Sequence, residues 1–261
     1  MGRIAAPELE DFDWFPSPLR DAMTGWLRVV SEVFGVSRVA APLIVDAMKL
    51  TGTDRIIDLC SGGGGPVLSI MKTLAADHAR AVSVTLTDKY PNEAAFARAE
   101  RELPGRVTGR LRSTDATDVP EDLVGVRTIF NAFHHLPPTI AKAVLADAAA
   151  KGQPILSFEF VERSLQGAAA VAGIPLGVYA LMPFVRSASP LALALTYGAP
   201  IVPAATLWDG FASCLRAYSV EELEELVADL QSDRYHFEVR RTRVPRRPLY
   251  VTTVIGLPRV A

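Results

Sequence analysis

The chain has 261 residues, of which 49% are hydrophobic and 21% are charged, and this composition excludes a disordered or collagen-like protein. Its 27 basic and 29 acidic residues nearly cancel. There is therefore no overall basic field to hold a polyanion, and no nucleic acid is expected as a partner. The mean hydropathy of +0.22 is high for a soluble protein, so the distribution of the apolar residues along the chain matters.

The N-terminal residues and the two cysteines bear on cellular location and on metal binding. Residues 1–13 include four acidic side chains and lack the apolar run of a secretory signal, so a cytoplasmic location is expected. The two cysteines, Cys60 and Cys214, lie far apart and show no metal-ligand spacing. Neither a metal site nor a disulfide framework is therefore expected.

The predicted elements begin with helices. Residues 1–50 form an N-terminal helical segment, in which Ser17 and Pro18 provide a helix-start signal and apolar residues then recur at helical spacing. A short apolar strand at residues 55–60 follows and runs into four glycines, Gly62 to Gly65, before the next helical pattern. This order of strand, glycine turn and helix opens a new domain.

Strands and helices then alternate. Strands are predicted at Ala81–Leu86, Val107–Leu111, Val126–Phe130 and Pro154–Phe160, and helices at Asn92–Leu103 and Pro138–Ala150. Near the end, Ser219 and Glu222 form a capping box for a helix through Leu230, and two strands at His236–Val244 and Leu249–Leu257 are predicted to form a hairpin. The pattern predicts an α/β fold, a Rossmann-like, doubly wound and mostly parallel sheet with a C-terminal antiparallel hairpin.

One segment holds much of the apolar surplus. Residues 164–208 contain a single charged residue, Arg186. Its two uncharged halves are long enough to cross a bilayer, but prolines and glycines interrupt both of them. We therefore expect a helical cap insert at residues 164–215 that walls an apolar pocket, with the Rossmann-like core at 51–163 and 216–261. Peripheral membrane contact is the alternative.

Chemistry is concentrated at the ends of the first two strands. The sequence Asp58-Leu59-Cys60-Ser61-Gly62-Gly63-Gly64 follows the first strand, and Asp88 ends the second. A glycine turn at the carboxyl end of a parallel strand lets the backbone approach a ligand closely, and a carboxylate on the next strand can accept both hydroxyls of a ribose. The spacing does not fit the dinucleotide fingerprint, because Val67 stands where its third glycine would be.

These residues resemble the first motif of class I S-adenosylmethionine-dependent methyltransferases, with Cys60 in place of the first glycine. Three further motifs follow in the order in which that family has them. They are Asp88 at the end of strand two, Asp115-Ala116 after strand three, and the segment from Asn131 to Pro137 after strand four, which ends in His-Leu-Pro. The resemblance covers about residues 40–160 and the terminal hairpin.

The resemblance implies S-adenosyl-L-methionine as the cofactor. The backbone from Ser61 to Gly64 would pass under its methionine part, and Asp58 would orient the turn or receive its ammonium group. The expected cofactor-binding residues are Asp58, Cys60, Ser61, Gly62, Gly64, Asp88, Lys89, Asp115, Ala116 and Asn131.

Candidates for acid–base chemistry follow strands four and five. His134 and His135 lie at the expected ligand-binding edge, where either one is a candidate general base; the alternative for each is a structural role, which for His135 is to shape the His-Leu-Pro turn. Glu159 stands within an apolar run, so its carboxylate must be paired or functional. The two remaining histidines, His78 and His236, are expected to be structural.

A second polar group follows the apolar insert. Asp209 and Arg216 emerge from it together, which indicates either a buried ion pair or groups that orient a substrate.

The sequence therefore predicts methyl transfer from S-adenosylmethionine to a small apolar or amphipathic acceptor, as in secondary metabolism, by direct displacement. Two alternatives remain open at this point. One is an enzyme that binds the same cofactor for a decarboxylation, cyclisation or rearrangement, and the other is a membrane-surface methyltransferase acting on lipids or quinones.

Overall fold

The structure of this chain, a computed structural model, describes residues 2–77 and 82–259. His78, expected to be structural, and Ala81, expected to open the second strand, lie outside the described residues.

Seven strands form one sheet. They are β1 (Arg55–Asp58), β2 (Ser83–Leu86), β3 (Val107–Gly109), β4 (Val126–Phe130), β5 (Ile155–Glu159), β6 (Tyr235–Arg243) and β7 (Tyr250–Pro258). The first five strands pair in parallel, and β7 is antiparallel to both β5 and β6. The strand order is β3-β2-β1-β4-β5-β7-β6. From β1 the chain adds strands towards one edge of the sheet, and from β4 it adds them towards the other edge, so the order reverses between β1 and β4.

Ten α-helices accompany the sheet within the described residues. They are α1 (Ser17–Phe34), α2 (Ser37–Thr51), α3 (Gly65–Asp77), α4 (Glu93–Glu102), α5 (Pro138–Ala150), α6 (Leu165–Ala172), α7 (Ile174–Leu181), α8 (Pro190–Tyr197), α9 (Ile201–Arg216) and α10 (Val220–Ala228). Short 3-10 helices occur at Leu9–Asp11, Phe133–His135 and Met182–Phe184. The predicted fold class, with its C-terminal hairpin, is confirmed by the mixed seven-stranded sheet.

The chain divides into two compact units. A sheet unit comprises Phe34–Phe160 together with the chain from Val220 onwards, and a helical unit comprises the chain up to Val33 together with Val161–Ser219. In this division α2 belongs to the sheet unit. The reason is packing: apolar residues of α2, such as Ile44 and Met48, are fully buried in one cluster with α3 and β4.

The helical unit has its own apolar core. Met23 and Trp26 of α1 pack in one cluster with Val178, Met182 and Val202 from the insert. The insert is helical as predicted, but its core is shared with the first 33 residues, because a segment with so few charges needs a partner face to cover its apolar side chains.

The length and hydropathy of the helices bear on the membrane alternative. Among the described residues, no single helix is both long and apolar enough to cross a membrane. Two helix pairs reach that length together, α6 with residues 174–184 and α8 with α9, and they are bent by 45° and 84°.

Candidate functional site

The glycine turn after β1 has the backbone that a close ligand approach requires. Gly62 and Gly64 adopt φ values of +50° and +71°, in the left-handed region that favours glycine. A Cβ at Gly62 would meet no atom within 4 Å, so the turn faces open space there. Cys60 also lies in the left-handed region, at φ +54°, a conformation in which glycine is favoured.

Asp88 is hydrogen-bonded directly to this turn. Its Oδ2 accepts a bond from the Gly62 N–H at 2.8 Å, and its Oδ1 accepts one from the Tyr90 N–H at 2.8 Å. Each carboxylate oxygen has two acceptor sites, so both retain capacity for a further donor. The acid that follows β2 is thus held against the glycines that follow β1, and Tyr90 beside it is 80% exposed.

Asp58 lies beneath the turn and is almost fully buried. Its Oδ1 accepts a bond of 2.6 Å from the Thr128 hydroxyl on β4. Burial and, to a smaller extent, the Asp88 charge raise the pKa of this carboxyl to about 7, against the hydrogen bonds from Thr128 and Ser61 that lower it. A cation arriving here would favour the ionised form of Asp58.

Ser61 connects the first two strands. Its hydroxyl donates to the Asp58 carbonyl at 2.8 Å and accepts from the Thr87 N–H at 3.1 Å. The Thr87 hydroxyl donates to the same Asp58 carbonyl at 2.9 Å. The side chains of Ser61 and Thr87 therefore build the turn, and the Ser61 backbone contributes to it, because its N–H donates to the Thr87 carbonyl at 3.0 Å.

Asp115 follows β3 and is held in a fixed orientation. Its Oδ1 accepts from the Thr117 N–H and hydroxyl at 2.9 and 2.7 Å, and its Oδ2 lies 3.0 Å from the Lys89 ammonium. The Thr117 bonds and Lys89 lower the pKa of the Asp115 carboxyl to about 2. The structure thus brings Lys89 and Asp115 together, with Ala116 next in the chain and buried.

Asn131 ends β4 in a left-handed conformation, at φ +48°. Asparagine tolerates this region better than most residues do. Its N–H donates to the Phe158 carbonyl at 2.8 Å, and its side-chain oxygen accepts from the Phe160 N–H at 3.4 Å. The side chain of Asn131 thereby joins the carboxyl ends of β4 and β5.

Acidic groups dominate the electrostatics of this edge. Burial, together with the charges of four carboxylates, raises the pKa of the Cys60 thiol to about 12. These carboxylates are Asp88, Asp58, Asp115 and Glu159. Cys60 is therefore a neutral thiol, and the surrounding charge favours a cationic ligand.

His134 and Glu159 form a buried pair. Nδ1 of His134 lies 2.5 Å from Oε2 of Glu159, and the other carboxylate oxygen accepts from the Phe133 N–H at 2.8 Å. The His134 side chain is 1% exposed. The ring of His135 lies against that of His134, with 4.4 Å between centroids. An acceptor carboxylate at Nδ1 keeps the proton there and leaves Nε2 as the basic nitrogen.

Asp209 and Arg216 lie in the helical unit, where both bind the N-terminal segment. Asp209 accepts from the N–H groups of Leu9 and Glu10 at 2.6 and 3.2 Å. Arg216 lies 2.5 Å from Asp11 and 3.4 Å from Glu8. These contacts fasten residues 8–11 to α9.

The same segment holds an acid that sequence reasoning missed. Burial raises the pKa of the Glu10 carboxyl to about 8, and the charges of Asp209, Glu8 and Asp11 add to the effect against that of Arg20. The folded chain keeps this proton up to about pH 8, whereas the unfolded chain releases it near pH 4.5. The stabilisation from protonated Glu10 is therefore complete below pH 4.5 and is lost as the pH rises to 8.

We predict that Glu10→Gln removes this part of the pH dependence. The melting temperature of the variant should match that of the parent near pH 4.5 and exceed it increasingly towards pH 8, because the amide carries no charge at any pH. Thermal unfolding across this range measures the difference, and Glu224→Gln on the exposed face of α10 is the control. A difference that does not change with pH would contradict the prediction.

Thr128 was also missed. It lies inside an apolar strand run, and nothing in the local pattern distinguishes it from a core threonine. Its role emerges only because β4 pairs with β1 in a register that sets Thr128 opposite Asp58.

The chain was then compared with known proteins. No family model matches it, and no curated protein does. Solved structures similar to the chain include an O-methyltransferase from neocarzinostatin biosynthesis in complex with S-adenosylmethionine and a naphthoic acid, at 17% identity over 80% of this chain and 50% of that chain, with a TM-score of 0.47. An O-methyltransferase family protein from Burkholderia thailandensis matches at 15% identity over 85% and 56%, with a TM-score of 0.46.

A third similar structure is the magnesium protoporphyrin IX methyltransferase of Synechocystis, at 13% identity over 88% of this chain and 87% of that one, with a TM-score of 0.46. The chain is similar to S-adenosylmethionine-dependent methyltransferases of known structure. It spans about half the length of the first two.

Proposed function

We propose that this protein binds S-adenosylmethionine and transfers its methyl group to a small apolar or amphipathic acceptor. The observation that carries the proposal is the hydrogen bond between Asp88 and the Gly62 N–H. It joins the carboxylate suited to a ribose to the turn suited to close backbone approach.

The residues at this edge fit the cofactor. Open space beside Gly62 suits a ligand against the turn. The spare acceptor sites of Asp88 suit ribose hydroxyls, and the Asp115-Ala116 pair suits the adenine. The acidic surroundings of Cys60 suit the positive charges of a sulfonium and an ammonium group, and Asp58, two residues before Cys60, is a buried acid. When bound, this cofactor supplies an electrophilic methyl group whose transfer leaves a neutral thioether.

The chain's own residues then have two tasks. The first is alignment of the acceptor with the methyl group, which can contribute about 7–11 kcal/mol to lowering a barrier. The second is removal of a proton when the acceptor atom carries one. His134 is the base in this proposal, with its proton-accepting Nε2 set by the bond of Nδ1 to Glu159. A base of this kind contributes about 10²–10⁴-fold.

The class of acceptor is inferred from the helical unit. Residues 164–208 carry one charge, which supports an acceptor that is apolar or amphipathic. A cytoplasmic enzyme of secondary metabolism fits this class of substrate.

Asp88 provides the direct test. Calorimetric titration should show that the parent protein binds S-adenosylhomocysteine about 10–100-fold more tightly than an analogue without the ribose hydroxyls, the factor expected for hydrogen bonds to a charged acceptor. Asp88→Ala should bind both ligands alike. Asp122→Ala, which removes an exposed carboxylate paired with Arg110, is the matched control and should keep the parent's preference.

Two results would contradict the proposal. One is the absence of binding of S-adenosylmethionine and S-adenosylhomocysteine to the parent protein, and the other is a ribose preference that survives in Asp88→Ala. Methyl transfer itself is tested with cofactor labelled in the methyl group and a panel of apolar phenols and aromatic acids. Label in the product supports transfer, whereas turnover with intact cofactor supports the decarboxylase, cyclase or rearrangement alternative.

Exposed apolar side chains favour the membrane-surface candidate as a second proposal. Leu165, Leu176 and Phe184 of the helical unit are 92%, 76% and 68% exposed. Partition of such groups into a lipid interface would stabilise peripheral contact. Co-sedimentation with neutral vesicles, lost when all three become serine, would support this candidate, and sedimentation with soluble markers only would exclude it.

A further inference from the structure

The hairpin of β6 and β7 carries a concentrated positive charge. Residues 240–250 include five arginines and no acidic residue, whereas the whole chain has a net charge of -2. Subtracting these five charges leaves -7 for the rest of the chain (-2 - 5 = -7). The arginines are Arg240, Arg241, Arg243, Arg246 and Arg247; all of them are exposed, and Arg240 is paired with Glu238.

The register places this cluster at the edge of the sheet that carries the candidate site. Glu159, the last residue of β5, pairs with Thr252 on β7, and Thr252 pairs with Arg241 on β6. Residues that are paired across strands project from the same face, so Arg241 and Glu159 share a face two strands apart, roughly 10 Å. Arg243 pairs with Tyr250, one step further beyond the end of β5.

The arginines in the turn have no role in protecting a sheet edge. Charged residues on an edge strand prevent pairing with other chains, and this explains Arg240, Arg241 and Arg243 on β6. Arg246 and Arg247 lie outside both strands. The Val244 carbonyl accepts from the Arg247 N–H at 3.1 Å, so Pro245 and Arg246 are the central residues of a tight turn.

Arg246 occupies a strained position. Its φ is +61°, in the left-handed region, and a turn with proline first and positive φ second usually has glycine in that second place. An arginine here costs stability relative to glycine, because its Cβ crowds the backbone. Strain at an exposed charged residue indicates that the charge serves a function.

The extent of the arginine cluster indicates that its ligand is a macromolecule. The five side chains are distributed over both faces of the ribbon and its turn, so one small anion cannot contact them all. The apolar residues of the turn region face inward, since Val244 and Val251 are buried in the core cluster and Leu249 packs against it. The tip therefore presents no apolar anchor to a lipid interface.

The acidic charge of the rest of the chain further limits the class of partner. A duplex nucleic acid or a charged bilayer extends far beyond an 11-residue hairpin and would meet the acidic remainder of the protein. A compact acidic patch would contact only the tip. Arginine also suits carboxylates in particular, because its planar guanidinium group binds them through two parallel hydrogen bonds.

We propose that the β6–β7 hairpin is a docking surface for a carboxylate-rich face of a partner protein. Because the tip lies at the edge of the sheet that holds Asp88 and His134, the partner would be held beside the candidate site. The proposal does not depend on methyl transfer, and its test needs no cofactor.

The test uses a labelled helical peptide with glutamates along one face as the probe, measured by fluorescence anisotropy at low salt. The double variant Arg246→Gly with Arg247→Ser should bind the peptide at least about tenfold more weakly than the parent, since it loses two of five cationic contacts. Its melting temperature should equal or exceed that of the parent, because glycine relieves the strained turn. A purely structural role for Arg246 predicts the opposite change in stability.

The matched control is Arg101→Ser with Arg234→Ser, which removes two exposed charges from α4 and from the opposite end of the hairpin and should keep the parent's affinity. Vesicles rich in phosphatidylserine and a short DNA duplex are measured in parallel and should bind more weakly than the peptide. Tighter binding of either one would overturn the proposal. Unchanged peptide affinity in the turn variant, or an equal loss in the control, would also overturn it.

Discussion

His134→Gln is expected to lower kcat by about 10²–10⁴-fold for an acceptor that must lose a proton, while the affinity for S-adenosylmethionine stays near that of the parent. The reason is that glutamine occupies a similar volume but provides no basic nitrogen. Steady-state kinetics measure the change in kcat, and calorimetry measures cofactor affinity. An acceptor found with the labelled cofactor serves as substrate.

Two further variants distinguish the role of His134 as base from the roles of the residues beside it. Glu159→Gln should reduce kcat less than His134→Gln, because the histidine stays in place but its tautomer is no longer held by a carboxylate. His135→Gln, next in the chain, is the matched control and should have a small effect. If His134→Gln retains the parent's kcat at an unchanged melting temperature, His134 is structural and the proposed base is wrong.

Asp147→Ala is expected to lower the free energy of unfolding by about 3–5 kcal/mol, the usual cost of breaking a buried ion pair. Arg127 on β4 is 1% exposed, and its Nη1 lies 2.7 Å from Oδ2 of Asp147 on α5. Lys151 lies 2.6 Å from the other oxygen of this carboxylate. Removal of Asp147 would leave the guanidinium group of Arg127 buried without its acidic partner. Denaturant unfolding measures the loss.

A double replacement shows whether the loss comes from the uncompensated charge. Arg127→Met with Asp147→Leu should restore most of the lost stability, since an apolar pair of similar volume avoids burying a charge. Asp229→Ala removes an exposed carboxylate that pairs with Lys142 and should leave stability nearly unchanged. A double variant as unstable as Asp147→Ala would mean that the cost is lost packing.

The glycine turn shows how far sequence reasoning reaches into the site. The glycines and Asp88 were predicted as neighbours because parallel strands end at one edge, and the structure joins Asp88 to the Gly62 N–H. The bounds of β4 and α5 were also predicted, because each has an apolar pattern with clear stop signals. These features depend on local chemistry that the chain carries in consecutive residues.

The hydrogen-bond partners of buried polar groups could not be predicted from the sequence in the same way. Glu159 was expected to be paired or functional, yet its bond to His134 joins residues 25 positions apart. Asp209 and Arg216 were expected together, but each binds the N-terminal segment about 200 positions away. The overall charge balance likewise concealed the five arginines of the hairpin, because a net charge averages over the chain.

The sequence by itself determined the order of strands and helices, the glycine turn and the acids that follow the strands, because hydrophobic periodicity and turn chemistry act between near neighbours. Only the tertiary structure decided that α2 packs with the sheet, that Thr128 and Asp58 share a hydrogen bond, and that His134 meets Glu159. Each of these depends on strand register and on which apolar faces cover one another. Register and packing bring together residues whose separation in the chain carries no signal.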